Sequence, residues 1–179
     1  MKKFSSFAQT TIGERHINRG VICQDYSMSI NNNNFVFAAV ADGHGSAHYL
    51  RTDKGSRFAV ECAFDCVSEF FEGLKDTERF ISEPQQRDEI LEMLWKNIVN
   101  RWKSRVENDF KQNPFTAEEL DSIPEELKEY RAVYELGDFI SAYGTTLGFI
   151  VASEDFAFCG QIGDGKCVTI DCAGIASDP

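Results

Sequence analysis

The stretch FVFAAVADGHG, residues 35–45, joins an apolar run to a carboxylate, an imidazole and two glycines. An apolar run of this length, rich in strand-forming residues and without polar alternation, predicts a buried strand covered on both faces. Asp42 then stands where the strand ends, and Gly43 lets the backbone bring a carbonyl close to an ion. Such oxygens suit hard cations such as magnesium or manganese. A plain strand-to-turn junction capped by Asp42 explains the residues equally well at this point.

A second strand is predicted over residues 25–30, and the asparagines at 31–34 form a hairpin turn between the two strands. The hairpin places Gln24 and Asp25 at the sheet edge where the partner strand delivers Asp42. Two converging carboxylates without a neighbouring cationic side chain repel each other, and a bound cation relieves that repulsion. Before the hairpin, residues 4–11 are predicted to form an opening strand and residues 14–20 a basic loop.

The composition predicts one domain, residues 1–179, with a sizeable core. A net charge of -11 and a pI near 4.7 argue against nucleic acid or an anionic membrane as a partner, because both are repelled. No secretory signal and no apolar stretch long enough for a bilayer are visible in the sequence. A soluble, cytoplasmic protein is therefore expected.

Apolar stripes at helical spacing predict two long helices, one from Thr52 to Leu74 and one starting at a capping box over residues 82–85. Trp95 and Trp102 fall on the second stripe and are interpreted as core residues, and the six cysteines are interpreted as core thiols. The acidic stretch 113–124 is interpreted as a solvated loop.

Strands are predicted over residues 145–152, 156–162 and 166–170, with a tight hairpin turn at Asp164 and Gly165. Strands, then helices, then strands again favour helices packed on an antiparallel sheet. The predicted class is α+β.

Four motifs follow the order and spacing of the metal-dependent type 2C serine/threonine protein phosphatases, the PPM family, and the chain is most similar to the divergent bacterial branch. They are Gln24-Asp25, Asp42-Gly43-His44-Gly45-Ser46-Ala47, Gly144-Thr145-Thr146, and the segment GQIGDGK at 160–166. The resemblance implies an antiparallel β-sandwich flanked by helices, an αββα four-layer fold. It also implies removal of phosphate from phosphoserine or phosphothreonine in proteins, by a water held between two Mn²⁺ or Mg²⁺ ions.

The resemblance carries over to single residues. Asp42 matches the aspartate that bridges both metals, Gly43 the glycine whose carbonyl is a ligand, and His44 the general acid toward the leaving alkoxide. Asp164 matches an aspartate that some bacterial members use near an accessory third metal. Gln24 stands where many members have a glutamate ligand, and its amide oxygen is a weaker, neutral ligand.

Asp25 completes the expected metal ligands. Gly20 stands where the family has the arginine that grips phosphate, so Arg19 and His16 are the candidates for that role.

The resemblance covers roughly the N-terminal two thirds of a family domain, before two later segments that supply metal-binding aspartates. We therefore expect a truncated catalytic domain that is nearly inactive alone and prone to association through an exposed sheet edge. The alternative is a catalytically impaired pseudophosphatase or a phosphoprotein-binding module, and a plain structural domain is the third possibility.

Overall fold

The computed structural model describes residues 4–177, apart from the side chains of Arg15 and Arg19. The α-helices are α1 (Glu14–Arg19), α2 (Thr52–Gly73), α3 (Thr77–Ser82), α4 (Pro84–Gln112), α5 (Ala117–Asp121) and α6 (Lys128–Glu135). The strands are β1 (Tyr26–Asn31), β2 (Val36–Ala41), β3 (Leu147–Ala152), β4 (Ala157–Ile162), β5 (Thr169–Ile170) and β6 (Ala176–Ser177). Short 3₁₀ helices span Glu125–Leu127 and Ile140–Tyr143. No helix within 4–177 has the length and apolarity needed to cross a membrane.

Strands β1 to β4 form one antiparallel sheet in the order β1-β2-β3-β4. Phe37, Ala39 and Val151 alternate along β2 and β3 on the face that packs against α2 and α4, and all three are buried. We call this the inner face of the sheet. Helices on an antiparallel sheet confirm the predicted α+β class.

The opposite face of the sheet, the outer face, is open in the described part of the chain. Val40 is 59% exposed and Ile150 is 40% exposed. The prediction that β2 is covered on both faces is therefore wrong for residues 4–177. The apolar run lacks polar alternation because small and aliphatic residues, among them Ala38 and Val40, stand on this open face. Of the four expected layers, the described residues form two: the helices on the inner face and the four-stranded sheet that they cover.

The two ends of the chain depart from the predicted strands. Residues 4–11 form no strand, although the Ser6 amide donates to Asn31 Oδ1 at 2.7 Å and so holds the segment beside β1. The predicted basic loop is helix α1, which ends at Gly20 with φ 66°. No hairpin forms at Asp164 and Gly165, because β5 pairs with β6 and not with β4.

Helices α2 and α4 match their predicted stripes. Trp95 lies edge-on to Phe149 at 5.4 Å, and Trp102 donates from Nε1 to the Gly55 carbonyl at 3.0 Å, so both tryptophans belong to the core. The capping box predicted at 82–85 does not form. The residue that caps the N-terminus of α4 is Glu83, and its side chain makes no hydrogen bond to the helix.

All six cysteines are free thiols, but only Cys62 and Cys66 are buried. The interpretation as core thiols is wrong for the other four: Cys172 is exposed, and Cys23, Cys159 and Cys167 are partly exposed.

Candidate functional site

Asp25 and Asp42 meet at one edge of the sheet because of the β1–β2 register. Tyr26 pairs with Ala41 at the open end of the hairpin. Asp25, directly before β1, and Asp42, directly after β2, therefore lie opposite each other as the next pair. Partial loss of solvent around the exposed Asp42 side chain raises its pKa, a hydrogen bond with the Asp25 carboxyl and the charge of Asp25 raise it further, and His44 acts in the opposite direction. The carboxyl of Asp42 therefore holds its proton more tightly than an isolated aspartate does.

The backbone of Asp42 is fixed by the two threonines directly before β3. Its amide donates to Thr146 Oγ1 at 3.0 Å, and its carbonyl accepts from the Thr146 amide at 2.9 Å and from Thr145 Oγ1 at 3.1 Å. The motif at 144–146 was recognised in the sequence, but no role was predicted for these threonines. They hold the aspartate at the sheet edge.

Gly43 lies where no side chain fits. A Cβ at this position would lie 2.5 Å from Thr52 Oγ1 and would overlap the Gln24 carbonyl oxygen. That carbonyl is held by Ser56 Oγ of α2 at 2.6 Å. The start of α2, the residue before Asp25 and the residue after Asp42 are thus in close contact, which requires glycine at position 43.

His44 is held by its backbone and by an aromatic neighbour. Its amide donates to the Gly144 carbonyl at 3.2 Å, and that carbonyl also accepts from Thr52 Oγ1 at 2.6 Å. The ring lies edge-on to Tyr49 at 4.6 Å, and Nδ1 is buried without a hydrogen-bond partner among the described residues. Nε2 is therefore the ring nitrogen that can reach a ligand.

The other predicted site residues are placed less uniformly. The charge of Asp164, in the turn after β4, raises the pKa of Asp42, and both residues border a groove of about 760 Å³ together with Asp25. The Gln24 side chain lies beside Gly45, with Oε1 at 3.9 Å from where a Cβ there would stand.

His16, one of the two candidates for phosphate binding, does not border this groove. The described hydrogen bonds of His16 involve only its backbone, and none leads to the aspartates. Arg19 ends α1, and its side chain lies outside the described residues.

The residues present fit a divalent cation in part. Asp25 and Asp42 offer carboxylate oxygens side by side, which is the chemistry that Mg²⁺ and Mn²⁺ prefer. Within residues 4–177, however, no group of three or more acidic, histidine or cysteine side chains is arranged to hold a metal. Two carboxylates in contact can support one weakly bound ion.

A buried arginine supports the site from behind. Arg51, 5% exposed, donates to both carboxylate oxygens of Glu119 at 2.8 and 2.9 Å and to Tyr143 Oη at 2.9 Å. Burial acts to lower the pKa of Arg51, but these hydrogen bonds outweigh it and raise that pKa above its ordinary value. The network fixes the start of α2 against residue 143, directly before the Gly144 carbonyl that positions His44.

This network was not predicted from the sequence. The acidic stretch interpreted as a solvated loop contains α5, which begins at a capping box between Thr116 and Glu119. The threonine and glutamate spacing of that box is a signal in the sequence. The pairing of Glu119 with Arg51 has no local signal, because 68 residues separate them.

Residues 12–178 match the family model described as protein phosphatase 2C. No curated protein and no solved structure matches the chain.

Proposed function

The chain belongs to the protein phosphatase 2C family, and from this premise we propose that it hydrolyses phosphoserine or phosphothreonine in a protein substrate with a divalent metal ion. Family membership supports a phosphatase. The observation that carries the finer proposal is the contact between the Asp25 and Asp42 carboxyl groups at the sheet edge. Two carboxylates held together destabilise each other unless a proton or a cation lies between them.

Asp25, Asp42 and the Gly43 carbonyl are the groups that would hold Mn²⁺ or Mg²⁺, with Gln24 and Asp164 as further oxygen donors. A divalent ion supplies a water of lowered pKa and screens the charge of the phosphate. The protein's own task is to hold the two carboxyl groups next to each other, which the threonine bonds to the Asp42 backbone support.

His44 is proposed to donate the proton to the leaving serine or threonine alkoxide. Its buried Nδ1 and the contact with Tyr49 restrict the ring, so that Nε2 is the nitrogen turned to a substrate. His16 and Arg19 stay the predicted groups for phosphate binding.

The charges limit the activity of this chain. Two divalent ions carry four positive charges, whereas Asp25, Asp42 and Asp164 supply at most three negative ones. We therefore infer that the 179-residue chain holds one ion weakly and turns over slowly, in line with the two-carboxylate contact that the structure shows.

The test is Mn²⁺-dependent phosphate release from a phosphothreonine peptide, at enzyme concentrations that allow slow turnover to be measured. The Asp42→Ala variant should show no metal-dependent phosphate release, and chelation of the metal should abolish the release by the wild type. Asp155→Ala is the matched control, because this exposed aspartate lies in the β3–β4 turn at the other end of the sheet. Release that survives both chelation and Asp42→Ala would contradict the proposal, as would peptide binding without any release.

A further inference from the structure

Cys159 lies in the edge strand β4, on the outer face of the sheet. Its partner in the β3–β4 register is Ile150, whose side chain is 40% exposed on that face. The next residue of β4, Gly160, points to the opposite side, where a Cβ would meet the rings of Phe149 and Trp95. Because side chains alternate along a strand, Cys159 projects away from the helices.

Cys167 returns to the same face after the turn that follows β4. Its thiol donates to the Phe149 carbonyl at 3.8 Å, and the residue borders the outer-face groove with Ile150 and Gln161. Burial raises the pKa of Cys167, and a thiol–thiol contact with Cys159 raises it further. Two cysteines from different segments thus meet on one partly exposed surface.

We propose that Cys159 and Cys167 are a modification site: a reversible disulfide formed with a small-molecule disulfide, such as oxidised glutathione, as the oxidant. The thiolate of one cysteine attacks the sulfur–sulfur bond of glutathione, forms a mixed disulfide and releases one reduced glutathione. The second cysteine thiolate then attacks the protein sulfur and releases the second reduced glutathione. The two cysteines are oxidised by two electrons, and their two protons end on the two glutathione thiols.

The bond closes segment 159–167, which contains Asp164. The carboxylate whose charge acts on Asp42 would thereby be held on both sides of its turn, by the main chain of β4 before it and by the disulfide after it. The disulfide itself does not depend on the proposed phosphatase activity, and it is detected without an activity assay.

The other cysteines differ in access. Cys62 and Cys66 are buried in α2, out of reach of a small-molecule disulfide, so both resist oxidation. Cys172 is exposed and Cys23 is partly exposed, and these two are the competitors for the reaction.

Trypsin mapping distinguishes the pairs. Cleavage after Arg131 and Lys166 places Cys159 alone in peptide 132–166, and Cys167 with Cys172 in peptide 167–179. The full chain, treated with oxidised glutathione at pH 8 and mapped without reduction, should yield these two peptides joined by one disulfide, and dithiothreitol should separate them. The Cys172→Ser variant should give the same linked pair.

Cys159→Ser is the complementary variant. It should keep a glutathione adduct on Cys167 that the wild type resolves, with circular dichroism checking that the variant is folded, and Cys167→Ser should show the mirror result on Cys159. Three outcomes would overturn the proposal: loss of the linked pair in Cys172→Ser, a linkage within peptide 167–179, or stable glutathione adducts on both cysteines of the wild type.

Discussion

At the scale of single residues, the contact between the Asp25 and Asp42 carboxyl groups destabilises the metal-free protein when both groups are ionised. Because the pKa of Asp42 is raised in the folded state, the folded protein binds its proton more tightly than the unfolded chain does. The penalty is absent below the ordinary aspartate pKa, grows as the pH rises toward the folded pKa, and is complete above it.

Asp42→Asn should therefore stabilise the metal-free protein at pH 8 and leave its stability nearly unchanged at low pH. Asp42 is an exposed residue, so the gain should stay below about 1 kcal/mol. Urea unfolding in the presence of a chelator, at pH 3 and pH 8, measures it, with Asp155→Asn as the control. A variant that is less stable than the wild type at pH 8 would show that the carboxylates do not repel each other.

Gly144→Ala tests how tightly His44 is positioned. The added Cβ would lie 2.6 Å from His44 Nδ1 and 2.9 Å from the Tyr49 ring, so the imidazole has to move. Phosphate release should fall by about 10- to 100-fold, since misplacing a reacting group by about 1 Å has that effect. Gly148→Ala is the control, because its Cβ would make only a 3.8 Å contact with Val40. Equal activity of the two variants would remove His44 from the mechanism.

At the scale of elements, what could be predicted depended on how local the signal was. The hairpin of β1 and β2 and the helices α2 and α4 follow from turn residues and apolar periodicity within each segment, and the structure has them. Helix α1 was missed because its polar residues carry no apolar stripe, although Gly20 is a common helix-ending signal. Strand β5 was misassigned because its partner β6 comes later in the chain.

The contacts of the candidate site differ in the same way: the local ones could be predicted from the sequence and the distant ones could not. Asp25 and Asp42 could be brought together from the sequence, because one hairpin joins them. The contacts of Asp42 with Thr145 and Thr146 span more than 100 residues, and nothing in the local sequence specifies that register. The network of Arg51 is non-local in the same way.

Arg51→Ala should lower the free energy of unfolding, because it removes the centre of the buried ion-pair network. The change leaves Glu119 and Asp109 without their buried partner, and Asp109 keeps hydrogen bonds only from Tyr143, Lys54 and Asn113 among the described residues. Breaking one side of a buried ion pair costs about 3–5 kcal/mol.

The measurement is the free energy of unfolding in urea. Arg131→Ala is the matched control, because Arg131 also pairs with two carboxylates but is 43% exposed, and its loss should destabilise the fold far less than the loss of Arg51. Similar values for the two variants would mean that burial of Arg51 adds nothing to the stability of the fold.

At the scale of the whole molecule, a strong negative charge and an open apolar sheet face act against each other. The net charge of -11 keeps copies apart at low ionic strength, whereas the outer face, with Val40 and Ile150, favours association once that charge is screened. At about 1 M salt the screening length falls to about 3 Å.

We expect the weight-average mass from analytical ultracentrifugation to rise with protein concentration at 1 M salt and to stay that of a monomer at low salt. Val40→Asp should abolish the rise, whereas Leu136→Asp, which adds the same charge at an 88% exposed position after α6, should not. Association that Val40→Asp leaves unchanged would place the contact elsewhere on the surface.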